Sequence, residues 1–194
     1  MLVKGKNGFN IYQIVVIALM AALVYVGSSL SFPVSFIGGV SRIHIGNTFC
    51  LLAGLICGPV GGGLAAGIGS FLYDLIMYPD YLPDSPFTFC FKFLLAFVCA
   101  VIAYDGHSEG KKTVRNIIAC VAGSLTYIVL YVGKGFVVDF FVKGYEINVS
   151  LLNVGTKLLT SSVNGVIAVV LAVPFFAAIR YALDAAKLGD KLYR

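Results

Sequence analysis

Apolar and polar positions along this chain come in long blocks rather than in alternation. Apolar runs occupy about Ile11–Leu30, His44–Cys57, Gly61–Met77, Phe87–Tyr104, Arg115–Phe141 and Leu151–Tyr181. Short polar or turn-rich stretches separate them: Ser31–Arg42 with Pro33 and Gly38-Gly39, Gly58-Pro59, Tyr78–Pro86 with Pro79, Pro83 and Pro86, Asp105–Thr113, and Lys143–Ser150. About 20 apolar residues suffice to cross a bilayer as a helix. The second run is shorter and stops at Gly58-Pro59, because proline ends a helix and glycine permits the turn. The pattern predicts an all-α integral membrane protein, a six-transmembrane-helix bundle forming a single domain over residues 1–194. Lys4 and Lys6 ahead of the first run resemble a signal peptide, but the run is long and no clear A-x-A site follows, so a retained helix is expected. No internal repeat is visible.

Composition agrees with a bilayer as solvent. The chain is 59% hydrophobic and only 12% charged, where a soluble domain carries about 25% charged residues. Its mean hydropathy is +0.95. The net charge of +5 is spread over termini and loops, so no nucleic-acid partner is expected. Cys50, Cys57, Cys90, Cys99 and Cys120 all fall in apolar runs without a C-x-x-C pair, which reads as free thiols acting as small hydrophobes. His44 and His107 are far apart, and no metal-ligand cluster stands out. There is no H-E-x-x-H, G-x-S-x-G or P-loop. Neither an enzyme nor a cofactor is expected, and any ATP energy must come from another chain.

The Lys/Arg bias of short loops sets the orientation. An inside N-terminus places Lys4, Lys6, Lys111, Lys112, Arg115, Arg180, Lys187, Lys191 and Arg194 on the cytoplasmic side, nine of the fourteen basic residues. The outer loops then hold only Arg42 and Lys143, with Asp80, Asp84 and Glu146. Both termini are expected in the cytoplasm.

Three basic residues remain: Lys92, Lys134 and Lys157, in or at the edge of three apolar runs. An ionisable group at membrane depth costs at least ~3 kcal/mol and persists mainly where it lines a site or finds a partner. The topology puts all three toward the outer ends of their helices, which suggests a site for a small polar solute. Asp74 could neutralise Lys92, and Asp139 or Glu146 could neutralise Lys134. Lys134 and Asp139 are five residues apart, a poor same-face spacing, so Lys134 and Lys157 lean toward a ligand. Tyr127, Tyr131 and Lys134 share a helical face at i, i+4 and i+7. Tyr73, Tyr78, Tyr81 and Phe87 gather nearby, either as an interfacial aromatic belt or as a stacking surface for a flat heterocycle. Thr160-Ser161-Ser162 could add donors, although such hydroxyls usually bond their own helix. Asn164, in mid-helix, is harder to dismiss. Candidate substrate-binding residues are therefore Lys92, Tyr127, Tyr131, Lys134, Lys157, Asn164, Asp74 and Tyr81.

Small residues one turn apart let helices approach closely. Ala18-x-x-x-Ala22 in the first helix reads as partner docking or as packing within the bundle. Gly61-Gly62-Gly63, Gly67 and Gly69 in the third predict tight contact on more than one face.

Several stretches in order carry a family resemblance: Ile17–Leu23 in the first helix, Arg42-Ile43-His44-Ile45-Gly46-Asn47 opening the second, Gly54–Gly63 leading into the third, then Gly67–Ser70, Tyr73-Asp74-Leu75, and Phe89-Cys90-Phe91-Lys92-Phe93 in the fourth. The chain resembles the substrate-binding S-components of energy-coupling factor (ECF) vitamin transporters of bacteria. The resemblance implies a multi-pass protein of the bacterial cell membrane with a high-affinity pocket on the outer side. It implies docking through Ala18 and Ala22 onto a membrane coupling T-component driven by two cytoplasmic ATPase subunits. It leaves the vitamin open, and the cationic excess leans weakly toward a carboxylate or phosphate. A self-sufficient small secondary transporter or channel is the rival reading, for which matched discontinuous helices would argue. A small lipid-directed membrane enzyme is a third.

Overall fold

A computed structural model describes residues 9–36, 39–105 and 112–186. Helix α1 spans Ile11–Ser29, α2 Gly46–Met77, α3 Ser85–Tyr104, α4 Thr113–Val137 and α5 Ile147–Ala185. An antiparallel hairpin, β1 (Ser31–Phe36) and β2 (Gly39–His44), links α1 to α2. A 3-10 turn, Pro79–Asp84, links α2 to α3, and a π-helical turn, Val138–Val142, extends α4. Among the described residues five helices are long and apolar enough to cross a membrane. The termini, His107 and six of the basic residues used for orientation (Lys4, Lys6, Lys111, Lys187, Lys191 and Arg194) lie outside the described residues.

The start of α1 follows from Asn10 and Gln13. Asn10 Oδ1 accepts from the Gln13 N–H, and Gln13 Oε1 accepts from the Asn10 N–H, both at 2.9 Å. Two donors of the first turn are satisfied reciprocally.

The second and third apolar runs lie together in α2, so five elements stand where the sequence suggested six. They do not form one straight rod. Gly58 has φ 74° and ψ −175°, a backbone state that glycine alone adopts readily. Residues 54 and 62 would be about 12 Å apart along a straight helix. Instead, a Cβ built on Gly62 would sit 2.5 Å from the Ala53 carbonyl oxygen and the Gly54 Cα. The chain therefore folds back on itself at Gly58. Pro59 has no N–H for the Leu55 carbonyl; the Tyr104 hydroxyl of α3 donates to that oxygen instead, at 2.6 Å.

The stretch Ser31–Arg42, read as a loop, is mostly hairpin. Ser31 faces His44 and Pro33 faces Arg42 across the two strands. Among the described residues neither strand has a second neighbour, which is where a proline fits a sheet.

Helix α2 is buried along most of its length, while α5 is largely exposed. Glycines set the crossings. A Cβ on Gly69 would collide with the Ala21 carbonyl of α1, one on Gly54 would lie 2.5 Å from the Ala96 carbonyl of α3, and one on Gly123 would lie 2.5 Å from the Leu95 carbonyl between α4 and α3. Leu95, Cys99 and Cys120 are fully buried beside these crossings. Leu19, Val26, Val129, Val166 and Val170 point outward, as suits contact with lipid tails. Ala21 faces the core, whereas Ala18 and Ala22 lie on the exposed face of α1.

Candidate functional site

The hairpin, the 3-10 turn and the π turn all lie at one end of the bundle, and there they close around a cavity of about 410 Å³. Small-molecule sites run from about 300 to 1,000 Å³. Every helix contributes to the wall: Ser28 from α1, Tyr73 and Asp74 from α2, Phe91 and Lys92 from α3, Tyr127, Tyr131 and Lys134 from α4, and Lys157 and Asn164 from α5. Lys92, Tyr127, Tyr131, Lys134, Lys157, Asn164 and Asp74 were all singled out from sequence, and all line this one cavity. The side chain of Tyr81 lies outside the described residues.

Exposure sorts the cations by depth. Lys92 is 5% exposed, whereas the side chains of Lys134, Lys157 and Lys143 are 19%, 27% and 48% exposed. Lys92 therefore forms the floor. Its ammonium donates to Asn47 Oδ1 and lies 4.1 Å from the centre of the Tyr127 ring. Such a cation over an aromatic face gains about 0.5–2 kcal/mol. The Tyr127 ring stacks on Tyr131 with centroids 5.6 Å apart and planes 9° from parallel. The i, i+4 spacing on α4 places both phenols on the same wall. Asp74, considered from sequence as the neutralising partner of Lys92, acts on it only through a longer-range attraction.

The rim lysines differ from the sequence expectation. Lys134 pairs with Asp84 of the 3-10 turn at 2.6 Å, not with Asp139 or Glu146. The α2–α3 connection carries Asp84 over the end of α4, a contact between residues fifty positions apart that no local spacing reveals. Lys157 is also paired. Asp139, only 1% exposed, accepts from Lys157 at 2.9 Å, from Lys143 at 2.8 Å and from Asn153 at 3.4 Å. The hydrogen bond to Asp139 pushes the Lys143 ammonium above its ordinary range. These contacts tie the π turn of α4 to the first turns of α5.

Asn164 takes a different part from the free donor expected of it. Its Oδ1 accepts from the His44 N–H at 3.1 Å and its Nδ2 donates to the Arg42 carbonyl at 2.9 Å. One amide thus brackets β2 as a neighbouring strand would, and α5 fixes the hairpin as a cavity wall. Thr160 lines the cavity but donates to its own helix, to the Thr156 carbonyl at 2.8 Å.

Arg42, His44 and Asn47 were missed as site residues. In Arg42-Ile43-His44-Ile45 polar and apolar residues alternate with the period of a strand, which puts Arg42 and His44 on one face. Both line the cavity. The Arg42 guanidinium sits 3.7 Å from the centre of the Tyr78 ring. His44 Nδ1 accepts from the Gly46 N–H at 3.2 Å. Burial first, then the charges of Lys92 and Arg42, push its imidazole down to about 3, so it is neutral at physiological pH.

A helical membrane bundle closed around a polar, ligand-sized cavity at one end is the architecture of a solute-binding membrane protein. The chain belongs to the family of ECF-type riboflavin transporter S components, whose model matches residues 8–181. It is thus a multi-pass, substrate-specific capture subunit of the ECF type, and S components are binding subunits rather than enzymes. A solved structure described as the S component of a bacterial ECF transporter is similar in fold, with a TM-score of 0.66 at 18% identity over 89% of this chain and 97% of that one. Among curated proteins no match is found.

Proposed function

We propose that this chain captures riboflavin, or a close flavin, from outside the bacterial cell for ATP-driven import by partner subunits. The observation that carries this reading is the stacked Tyr127–Tyr131 pair beside a buried lysine in the cavity. Parallel phenol rings offer a flat face to a fused heterocycle, and the hydroxyl-rich and charged rim offers partners to a polyol chain. The family description names riboflavin transport, which supports the same ligand. The cavity faces outward if the cytoplasmic side carries the excess of basic residues. In that topology α2 contributes two membrane segments divided at Gly58, six in all, and both termini are cytoplasmic.

Binding is tested by titrating the purified chain into riboflavin and following flavin fluorescence. Stacking on tyrosine is expected to quench it, saturably, at one flavin per chain without ATP. A flavin signal unchanged at stoichiometric protein would overturn the reading.

Import requires a membrane coupling subunit and two cytoplasmic ATPases, and the exposed Ala18–Ala22 face of α1 is the docking surface this reading assigns. Ala18→Leu is expected to leave flavin binding intact and to abolish flavin uptake by cells expressing the partner subunits, because leucine holds an approaching helix away. Uptake at the normal rate would remove this face from the docking surface.

A further inference from the structure

We propose that His44 and Lys92 form a paired-donor floor that reads an acceptor edge of the bound heterocycle, one ring nitrogen with its neighbouring carbonyl. The proposal rests on the flavin reading above and specifies which edge chemistry the cavity takes.

The first turn of α2 sets both donors. Gly46 donates its N–H to His44 Nδ1, and a nitrogen that accepts a hydrogen bond carries no proton. The neutral imidazole must then hold its hydrogen on Nε2. Among the described residues nothing accepts from Nε2, and His44 lines the cavity. Glycine is required at 46 for this arrangement, since a Cβ there would lie 3.0 Å from His44 Nδ1 and would collide with Ser28 Oγ. The next residue, Asn47, takes one hydrogen of the Lys92 ammonium. An ammonium has three donors and no acceptor, so Lys92 keeps hydrogens for a ligand. The imidazole is close enough to Lys92 to feel its charge. Gly46 and Asn47, consecutive in α2, hold these two donors at one cavity, and two such donors fit an acceptor pair on a ligand.

The isoalloxazine ring has two such edges, N1 with the C2 carbonyl and N5 with the C4 carbonyl, separated by the donor N3–H. The probes are riboflavin, 1-deazariboflavin and 5-deazariboflavin, each of the last two having a C–H in place of one ring nitrogen. One of the two analogues is expected to bind the wild-type chain about tenfold more weakly than riboflavin, the loss of a hydrogen bond to a charged or polarised donor. That penalty is expected to disappear in His44→Phe or in Lys92→Met, whichever removes the donor facing the substituted nitrogen. Equal binding of all three flavins to the wild type would overturn the proposal, as would a penalty undiminished in both variants. The wild-type series stands even where a variant fails to fold. Failure of riboflavin itself to bind would instead overturn the flavin reading, a result distinct from equal binding of the three.

Discussion

Gly54→Ala is expected to lower the melting temperature of the detergent-solubilised protein, while Gly155→Ala is expected to leave it unchanged or raise it. Alanine is the better helix former by about 1 kcal/mol, so both substitutions gain intrinsically. The surroundings reverse the sign at one of them. A Cβ at residue 54 would lie 2.5 Å from the Ala96 carbonyl oxygen, with nothing but backbone to yield, whereas a Cβ at residue 155 meets nothing within 4 Å. Overpacking of this kind costs about 1–3 kcal/mol. Here it separates α3 from α2 and, through Leu95 and Gly123, shifts α3 against α4 as well. Because Lys92 rides on α3, flavin affinity is expected to fall with stability. Equal melting temperatures for the two variants would show that the α2–α3 crossing relaxes without cost, and the account of how glycines set the bundle would fail.

The membrane class and part of the cavity wall were legible in the sequence because both rest on strong local signals. Apolar blocks of bilayer length mark spans, and a lysine inside one of them is expensive enough to need a reason. The three lysines, and with them Tyr127, Tyr131, Asp74 and Asn164, chosen by helical spacing, charge and depth, line one cavity. Partnership was not legible. Lys134 finds Asp84 and Lys157 finds Asp139 through the arrangement of loops at one end of the bundle, which depends on tertiary packing rather than spacing. Asn164 looked like a ligand donor because a mid-membrane amide demands a partner, yet the partner is the backbone of β2. The hairpin itself was hidden by Pro33 and the Gly38-Gly39 pair, which read as loop. With it went Arg42 and His44, whose period-two alternation was the available clue.

Lys92→Met is expected to weaken riboflavin binding far more than Lys134→Met. The floor lysine is buried, and its hydrogen bonds to a ligand would be made out of water. A charged hydrogen bond contributes about 1.5–3 kcal/mol, hence roughly a ten- to hundredfold loss of affinity. Lys134 is already paired with Asp84, whose side chain is 49% exposed. A pair so accessible to water contributes at most about 1 kcal/mol, so losing it should change affinity less than about fivefold. Lys92→Met also strands the Asn47 oxygen, in a residue only 2% exposed, and an unsatisfied buried acceptor costs about 1–3 kcal/mol of stability. The double variant Lys92→Met with Asn47→Leu removes both partners at once. It is expected to recover most of the thermal stability and none of the affinity, which isothermal titration calorimetry alongside thermal melts would measure. Affinity returning with stability would assign Lys92 to the scaffold of the α2–α3 contact. A larger loss in Lys134→Met than in Lys92→Met would move the ligand-reading charge from the floor of the cavity to its rim.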